Sequence, residues 1–241
     1  MNFKQITIAT VRIVKRVSML TVLIAAIFGI GATTYLYPRF LIDNARAAQL
    51  ETKLKGYTDQ EEADMRLGQY AINMMVMCEK SLSKDKRLSQ ARKQVLAGDI
   101  VRTTNGVFES IEHRHAMIAV WAIESCFQKF AKSPTGPKGL SQVSHAAFTE
   151  AMAACGVTDF SDSDVWDDTI NLLAGSCYFR QQLKNHDNDI FQALVAYNQG
   201  PASDSVKTYT KNGNLSAIEP LKYIAKFTYL SRNVSDKKTS N

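Results

Sequence analysis

The sequence holds few residues of the kinds that build metal sites or thiol chemistry. Its 241 residues include four histidines and four cysteines. His113 and His115 are two positions apart, so on a helix they point in different directions and make a poor zinc-ligand pair. No histidine stands in a recognisable motif that would make a cysteine a nucleophile. We therefore predict no metal site, no cofactor and no cysteine-based catalysis.

The sequence also lacks sustained period-two alternation, internal repeats and low-complexity tracts. Apolar residues recur instead at the three-and-four spacing of amphipathic helices. Hydrophobic residues make up 45% of the chain, which excludes disorder throughout. The prediction is a mainly α protein with one core of ordinary size and extensions.

The net positive charge outside the N-terminus is small. The net charge is +6, and Lys4, Arg12, Lys15 and Arg16 supply four of these charges, which leaves 6 − 4 = +2 for the rest. Aromatic and basic residues are not interleaved as a single-strand binding groove requires. The high pI is therefore weak evidence for nucleic acid, and we predict no such partner.

Residues 17–37 contain no charged side chain. This length is about the twenty residues that a transmembrane helix needs. The basic residues precede it, so the positive-inside rule places residues 1–16 in the cytoplasm and the remainder outside it. A cleaved signal peptide is the alternative, with a small-residue site at Ala45-Arg46-Ala47. Either interpretation puts the rest of the chain in the same compartment, and we predict an inner-membrane anchor.

Composition divides the remaining chain into four parts. Residues 38–57 are mixed and are predicted to be a linker. Residues 58–104 are predicted to be a helical extension that begins at a capping box, Thr58 to Glu61, with one helix ending near Gly98. Residues 105–231 form the predicted main domain, and the polar residues 232–241 a flexible tail.

Glu124 is an acidic residue within an apolar helical segment. Met117, Val120 and Trp121 lie one or two turns before it on the same helix face. A buried carboxyl is either paired with a cation or held protonated with a raised pKa. A structural pair with an arginine and a catalytic acid are both open on this segment alone.

Several further motifs follow Glu124 in a fixed order. They are Glu124-Ser125-Cys126-Phe127, Ala131-Lys132-Ser133, Gly136-Pro137-Lys138-Gly139-Leu140-Ser141-Gln142, Asn171 to Gly175 with Tyr178, Ala196-Tyr197-Asn198-Gln199-Gly200, and Glu219 with Tyr223. This order resembles the soluble lytic transglycosylase family, whose catalytic domain is similar to goose-type lysozyme. The resemblance covers about residues 110–230 and implies a lysozyme-like helical fold.

The resemblance implies cleavage of the β-1,4 bond between N-acetylmuramic acid and N-acetylglucosamine in peptidoglycan, with a 1,6-anhydro product. Glu124 would be the catalytic acid and base. Ser125 and Gln142 would contact sugar, and Gly139 would let the backbone approach the glycan. Tyr197 would place its hydroxyl near Glu124, and Asn198 would brace its turn. Each has a plain alternative, such as a packed aromatic ring for Tyr197.

Three features weaken the match. Ser141 stands where the family has Met, which predicts a wetter pocket and a less raised pKa of Glu124. Pro137 stands where the family commonly has Ala. Glu219 with Tyr223 is the weakest motif, since a solvated helix start explains it as well.

The four cysteines allow three disulfide pairings in an oxidising compartment. We favour Cys126–Cys177, because the helices that carry these residues are expected to pack together. Buried free thiols are the alternative.

The predicted function is a membrane-anchored lytic transglycosylase that opens the wall locally in the periplasm, or a virion-delivered equivalent. Its predicted partners are glycan strands, the inner membrane through residues 17–37, and an envelope machine for secretion, conjugation or phage entry. The alternatives are a non-catalytic peptidoglycan-binding scaffold and a helical adaptor that binds a partner through residues 58–98.

Overall fold

A computed structural model describes residues 36–213, 215 and 217–236 of the protein. The chain divides into two compact units, residues 1–63 and 64–241. The predicted membrane span at 17–37 lies outside the described residues except for its last two positions. Among the described helices, none combines the length and the hydrophobicity that crossing a bilayer requires.

The described chain is helical. Its α-helices are α1 (Leu36–Cys78), α2 (Gln90–Val107), α3 (Ile111–Glu124), α4 (His145–Ala154), α5 (Asp168–Asn185), α6 (Ile190–Gln199), α7 (Asp204–Asn212) and α8 (Ile218–Asp236). Short 3-10 helices occur at Glu79–Ser81, Lys84–Lys86 and Asp162–Trp166. Extended pairing within the described ranges is confined to isolated bridges at Lys132–Lys138 and Lys138–Val143. The prediction of a mainly α protein is confirmed.

Short polar side chains begin most of these helices. Each accepts a hydrogen bond from a backbone N–H in the first turn, which otherwise lacks a partner. These caps are Ser89, Ser110, Ser144, Asp167, Asp189 and Ser203.

Three boundaries in the first half differ from the prediction. The predicted linker, 38–57, lies within α1, so Thr58 does not begin a helix. Its hydroxyl donates instead to the carbonyl of Lys55, 2.8 Å away, inside α1. Helix α2 does not end at Gly98 but continues to Val107. The continuation is favoured because it buries Ile100, Thr103 and Thr104.

The core of the unit from residue 64 onward forms around α5, which packs against α2, α4 and α6. Helix α8 packs against α3 and α6. The Met-rich face of α1 enters the same core through Leu67, Ala71, Met74 and Met75, all buried as the helical spacing predicts. This arrangement brings α8 alongside α3, whose last residue is Glu124.

The disulfide prediction is wrong in its pairing. The bonds are Cys78–Cys126 and Cys155–Cys177. The end of α1 lies beside the turn after α3, so the Cα atoms of Cys78 and Cys126 are 5.6 Å apart. The end of α4 packs on α5, which brings Cys155 and Cys177 to a Cα distance of 6.1 Å. Both distances are within the range that a disulfide spans.

Candidate active site

Glu124 is the last residue of α3, directly after a fully buried apolar segment of that helix. The three residues predicted to precede it on the same face, Met117, Val120 and Trp121, are fully buried. Glu124 itself keeps partial access to solvent. The carboxyl therefore combines largely apolar surroundings with partial exposure to solvent.

Helix α8 supplies the polar contacts of Glu124. The Tyr223 hydroxyl donates a hydrogen bond to Oε1 of Glu124 at 2.8 Å. The Lys226 ammonium donates to the carbonyl of Ile123 at 3.1 Å, which fixes the last turn of α3 to α8. A tyrosine hydroxyl here, in place of the arginine of a structural ion pair, leaves Glu124 able to hold its own proton.

These surroundings raise the pKa of Glu124 from 4.5 to about 7. Burial is the largest cause, because it disfavours the charged carboxylate. The Tyr223 hydrogen bond and the charge of Lys226 act in the opposite direction, and the charge of Glu219 raises the pKa further. Near neutral pH a substantial fraction of Glu124 is therefore protonated and able to act as a general acid.

Tyr197 lies on α6 and is buried. Its hydroxyl donates to the carbonyl of Ser141 at 2.8 Å. Burial raises the pKa of Tyr197 well above its ordinary value, and the charge of Glu124 raises it further. The ring packs on Tyr178 and Phe179, with centroids 5.3 and 6.1 Å away. The charge of Glu124 thus acts on Tyr197, while the Tyr197 hydroxyl binds the backbone of the loop that contains Ser141.

Residues 128–143 form a tight loop that starts just after Glu124 and is held by side chains of the predicted sugar-binding set. The Gln142 amide donates to the carbonyls of Ala131 and Gly139, each at 2.9 Å. The Ser125 hydroxyl donates to the carbonyl of Leu140 at 2.7 Å. Both side chains therefore brace the loop, and their contact with sugar stays a prediction.

Ser141 occupies a closed position in this loop. It is fully buried, and its hydroxyl accepts from the Trp121 indole N–H at 2.8 Å and donates to the Asn171 carbonyl at 2.8 Å. A Cβ on Gly175 would lie 2.2 Å from the Ser141 hydroxyl oxygen. The hydroxyl is therefore paired with protein groups, which removes the physical basis for expecting a wetter pocket.

Gly139 has a packing requirement in addition to its predicted approach to the glycan. Its φ is +76°, and a Cβ there would lie 2.2 Å from Nδ2 of Asn171. Asn171 in turn accepts from the Ser141 backbone N–H at 2.7 Å and donates to the Val165 carbonyl at 2.8 Å. The glycine allows this buried amide to organise the loop from α5.

Asn198 is the last predicted binding residue and lies near the end of α6. Its side-chain oxygen accepts a hydrogen bond from the Gln199 amide at 2.6 Å. Gly200 follows with a φ of +81° and ends the helix. The contact with Gln199 is local to the turn that Asn198 was predicted to brace.

The two neighbouring histidines face different aromatic rings. His115 stacks on Tyr70 with ring centroids 4.1 Å apart, and His113 meets the edge of Phe108 at 6.4 Å. Across the described ranges, no three His, Cys, Asp or Glu side chains are grouped so that they could hold a metal ion.

Lys226 is the site residue that the sequence prediction missed. Glu219, Tyr223 and Lys226 are spaced at i, i+4 and i+7, which places them on one face of α8. That spacing was available in the sequence, and extending the weak Glu219–Tyr223 motif by one turn would have included the lysine.

Comparison with protein families matches residues 110–218 to the transglycosylase SLT domain. The search of curated proteins returned no match. Among solved structures, the fold is similar to the 70 kDa soluble lytic transglycosylase of Escherichia coli, with 17% identity and a TM-score of 0.55 over 73% of this chain. It is also similar to the lytic transglycosylase Slt of Pseudomonas aeruginosa, solved as an inactive Glu-to-Gln mutant, with 18% identity and a TM-score of 0.54 over 88% of this chain.

The chain is much shorter than these two proteins. It spans 30% of the length of the first and 34% of the second. The family match and the fold confirm the predicted lysozyme-like domain.

Proposed function

We propose, from the premise that residues 110–218 form a transglycosylase SLT domain, that this protein is a peptidoglycan lytic transglycosylase with Glu124 as its acid and base. One observation carries the proposal: a single carboxyl at the end of an apolar helix has a pKa raised to about 7 and receives a hydrogen bond from Tyr223. The P. aeruginosa relative, which is inactive as a Glu-to-Gln mutant, supports a role for one glutamate.

In the first step, protonated Glu124 donates its proton to the glycosidic oxygen. This oxygen links C1 of N-acetylmuramic acid to the next sugar of the strand. The bond from C1 to that oxygen breaks, the shortened strand leaves as an alcohol, and positive charge develops at C1. Glu124 is now a carboxylate, which the Tyr223 hydroxyl stabilises through its hydrogen bond at 2.8 Å.

In the second step, the 6-hydroxyl of the same muramic acid attacks C1. Glu124 takes the proton of this hydroxyl, so the 1,6-anhydro ring forms and the acid is regenerated without water. One carboxyl thus acts twice. Glu219 is the nearby acidic group whose charge reaches Glu124, and it is the candidate base if water attacks instead.

Digestion of purified sacculi tests this proposal. The parent chain should release muropeptides that end in anhydro-muramic acid, detected by mass spectrometry. Glu124→Gln should lower the rate by at least about a thousandfold, because the amide cannot donate the proton. The matched control is Glu109→Gln, which changes an exposed glutamate just before α3 and should keep the parental rate.

Other outcomes separate the alternatives. Reducing sugar ends would show a hydrolase of lysozyme type. Co-sedimentation with sacculi and no soluble product from the parent would favour the non-catalytic scaffold. Either result contradicts the lytic transglycosylase.

The location is part of the proposal. We propose that residues 17–37 anchor the chain in the inner membrane, with residues 1–16 in the cytoplasm and the domain in the periplasm, where it opens the wall for an envelope machine. The absence of charge in this segment supports an anchor, and two disulfides suit an oxidising compartment. The full chain should stay in carbonate-washed membranes and residues 38–241 should not; a full chain in the soluble fraction contradicts the anchor.

A further inference from the structure

The backbone turns sharply directly after Glu124. Ser125 leaves the helix with φ −133° and ψ −7°. Cys126 and Phe127 then follow with φ values of +50° and +59°. Both lie in the left-handed region, which glycine adopts freely and residues with a Cβ adopt rarely. Two consecutive left-handed side-chain-bearing residues must be held in place by their surroundings.

Different contacts keep these two residues in the left-handed conformation. The Phe127 side chain is fully buried in the core. Cys126 is only half-buried; its side chain packs against the core and is covalently bonded to Cys78. The backbone N–H of Gln128 donates to the carbonyl of Ser125 at 3.1 Å and closes the turn. The position of Cys126 therefore depends on where Cys78 lies.

Cys78 is a fixed point. It is the last residue of α1 and is buried. The next residue, Glu79, is also buried and forms an ion pair with Lys93 of α2 at 2.6 Å. Glu79 also accepts from the Leu88 backbone N–H at 2.5 Å. Removing either partner of such a pair is costly, so the end of α1 cannot shift easily.

We propose that Cys126 is a positioning residue of the active site, and that its bond to Cys78 holds the left-handed turn that aims the Glu124 carboxyl at Tyr223. This inference rests on the proposed function. Without the bond, Cys126 relaxes toward negative φ, and the chain leaves α3 in a different direction. Glu124, two residues earlier, then moves away from the Tyr223 hydroxyl. A shift of about one ångström at a catalytic group is enough to lower a rate severely.

The two disulfides allow a matched experiment. One variant, Cys78→Ser with Cys126→Ser, removes the bond and keeps a side chain at the left-handed position. A second, Cys78→Ser with Cys126→Gly, also removes the bond but places at 126 the residue that prefers this backbone. The control, Cys155→Ser with Cys177→Ser, removes the other bond, between α4 and α5. Rates on sacculi, melting temperatures and circular dichroism are measured for all three.

The serine variant should be folded and should lose on the order of tenfold in kcat, with KM changed by less than about twofold. The glycine variant should recover to within about threefold of the parental kcat. The control should melt at a lower temperature and keep its kcat within about twofold. If the serine variant fails to fold while the glycine variant folds and cleaves, the proposal is equally supported.

Three outcomes overturn the proposal: a parental kcat in the serine variant, an equal loss of kcat in the serine and glycine variants, or failure of both to fold. A readout without catalysis separates this inference from the proposed function. The Glu124 carboxyl, assigned by ¹³C NMR against Glu124→Gln, should titrate near 7 in the parent. It should titrate higher in the serine variant, because the Tyr223 hydrogen bond that lowers the pKa of Glu124 is lost, and return downward in the glycine variant, even if the parent releases no anhydro product.

Discussion

Two residues of opposite charge on one face of α8 shift the pKa of Glu124 in opposite directions. Lys226 lowers its pKa and Glu219 raises it, while burial sets most of the rise to about 7. Tyr223 stands between the two charges on the same face and makes the direct hydrogen bond. Tyr197, from α6, is the neighbouring titratable group, and its own pKa is raised by Glu124. Burial therefore sets most of the pKa of Glu124, and one positive and one negative charge on α8 adjust it in opposite directions.

In the proposed mechanism Glu124 must be protonated to act as the acid, so kcat/KM should fall as the pH rises through about 7. Lys226→Met removes a charge that lowers the pKa, so this alkaline limb should move to higher pH by roughly half a unit. Glu219→Gln removes a charge that raises the pKa, so the limb should move to lower pH. The measurement is kcat/KM on soluble glycan strands between pH 5 and 9.

The control for this pair is Lys222→Met, an exposed lysine of the same helix, which should leave the limb in place. Lys226→Arg tests the hydrogen bond to Ile123 separately, because it keeps the charge. Movement of the Lys226→Met and Glu219→Gln limbs in the same direction would contradict this account of the site.

Among the structural elements, the loop of residues 128–143 depends most on close packing. It contacts α5 through Gly139 and Ser141, which lie against Asn171 and Gly175. Gln142 within the loop donates a hydrogen bond to a backbone carbonyl of the loop, and so does Ser125, which lies just before it. A small change at the contact with α5 should therefore reach Ser125, the residue next to Glu124, through its hydrogen bond to Leu140.

Gly139→Ala and Gly136→Ala form a matched pair at positive φ, +76° and +112°. Both add backbone strain, but a Cβ at Gly139 also meets Asn171 at 2.2 Å, whereas a Cβ at Gly136 meets nothing within 4 Å. Gly136→Ala should lower the free energy of unfolding by about 1 kcal/mol, and Gly139→Ala by more than about 3 kcal/mol. Urea unfolding measures both, and equal losses would mean that the Asn171 contact is unimportant.

Local signals predicted the helices that have clear ends. Ser144 and Gly156 bound α4, and Gly200 ends α6. Helix α7 was missed, because nine residues with few apolar side chains give no strong stripe. The start of α1 was predicted wrongly, because the capping-box pattern at Thr58 lies inside a helix that begins much earlier.

The sequence indicated the candidate acid, because Glu124 is an acidic residue within an apolar helical stripe. The motif order also included Tyr223, but only in its weakest motif. The loop-bracing contacts of Ser125 and Gln142 could not be predicted, because they depend on how the loop folds back on itself. Lys226 was overlooked because its part is electrostatic and it lies outside the quoted motifs.

For the whole molecule, long-range pairing was the least predictable feature. Cys126 was expected to meet Cys177 because their helices were expected to pack, but Cys78, 48 residues before Cys126, reaches it instead. No spacing rule predicts that the end of α1 lies beside the turn after Glu124. Such contacts follow from the packing of three helices at once.

The raised pKa of Glu124 should also appear in the stability of the whole domain. The folded state keeps the Glu124 proton up to about pH 7, whereas the unfolded state releases it above about 4.5. Stability should therefore fall as the pH rises between these values, by about 2 kcal/mol, since Glu124 is partly open to solvent. Glu124→Gln should unfold at the parental urea concentration at pH 4.5 and at a higher one at pH 8.

A gap between parent and Glu124→Gln that is equal at both pH values would show that the carboxyl titrates normally. Glu109→Gln serves again as the control, because this exposed residue should show no pH-dependent gap.

Tyr223 is synthesised 99 residues after Glu124. During translation Glu124 is therefore made well before the Tyr223 hydroxyl that donates a hydrogen bond to it. A chain that is still being translated has the carboxyl but lacks this donor. The same holds for a fragment trimmed to residues 110–218, which stops before this tyrosine. If the proposed function holds, the acid therefore lacks its hydrogen-bond partner until α8 has been made and has packed against α3.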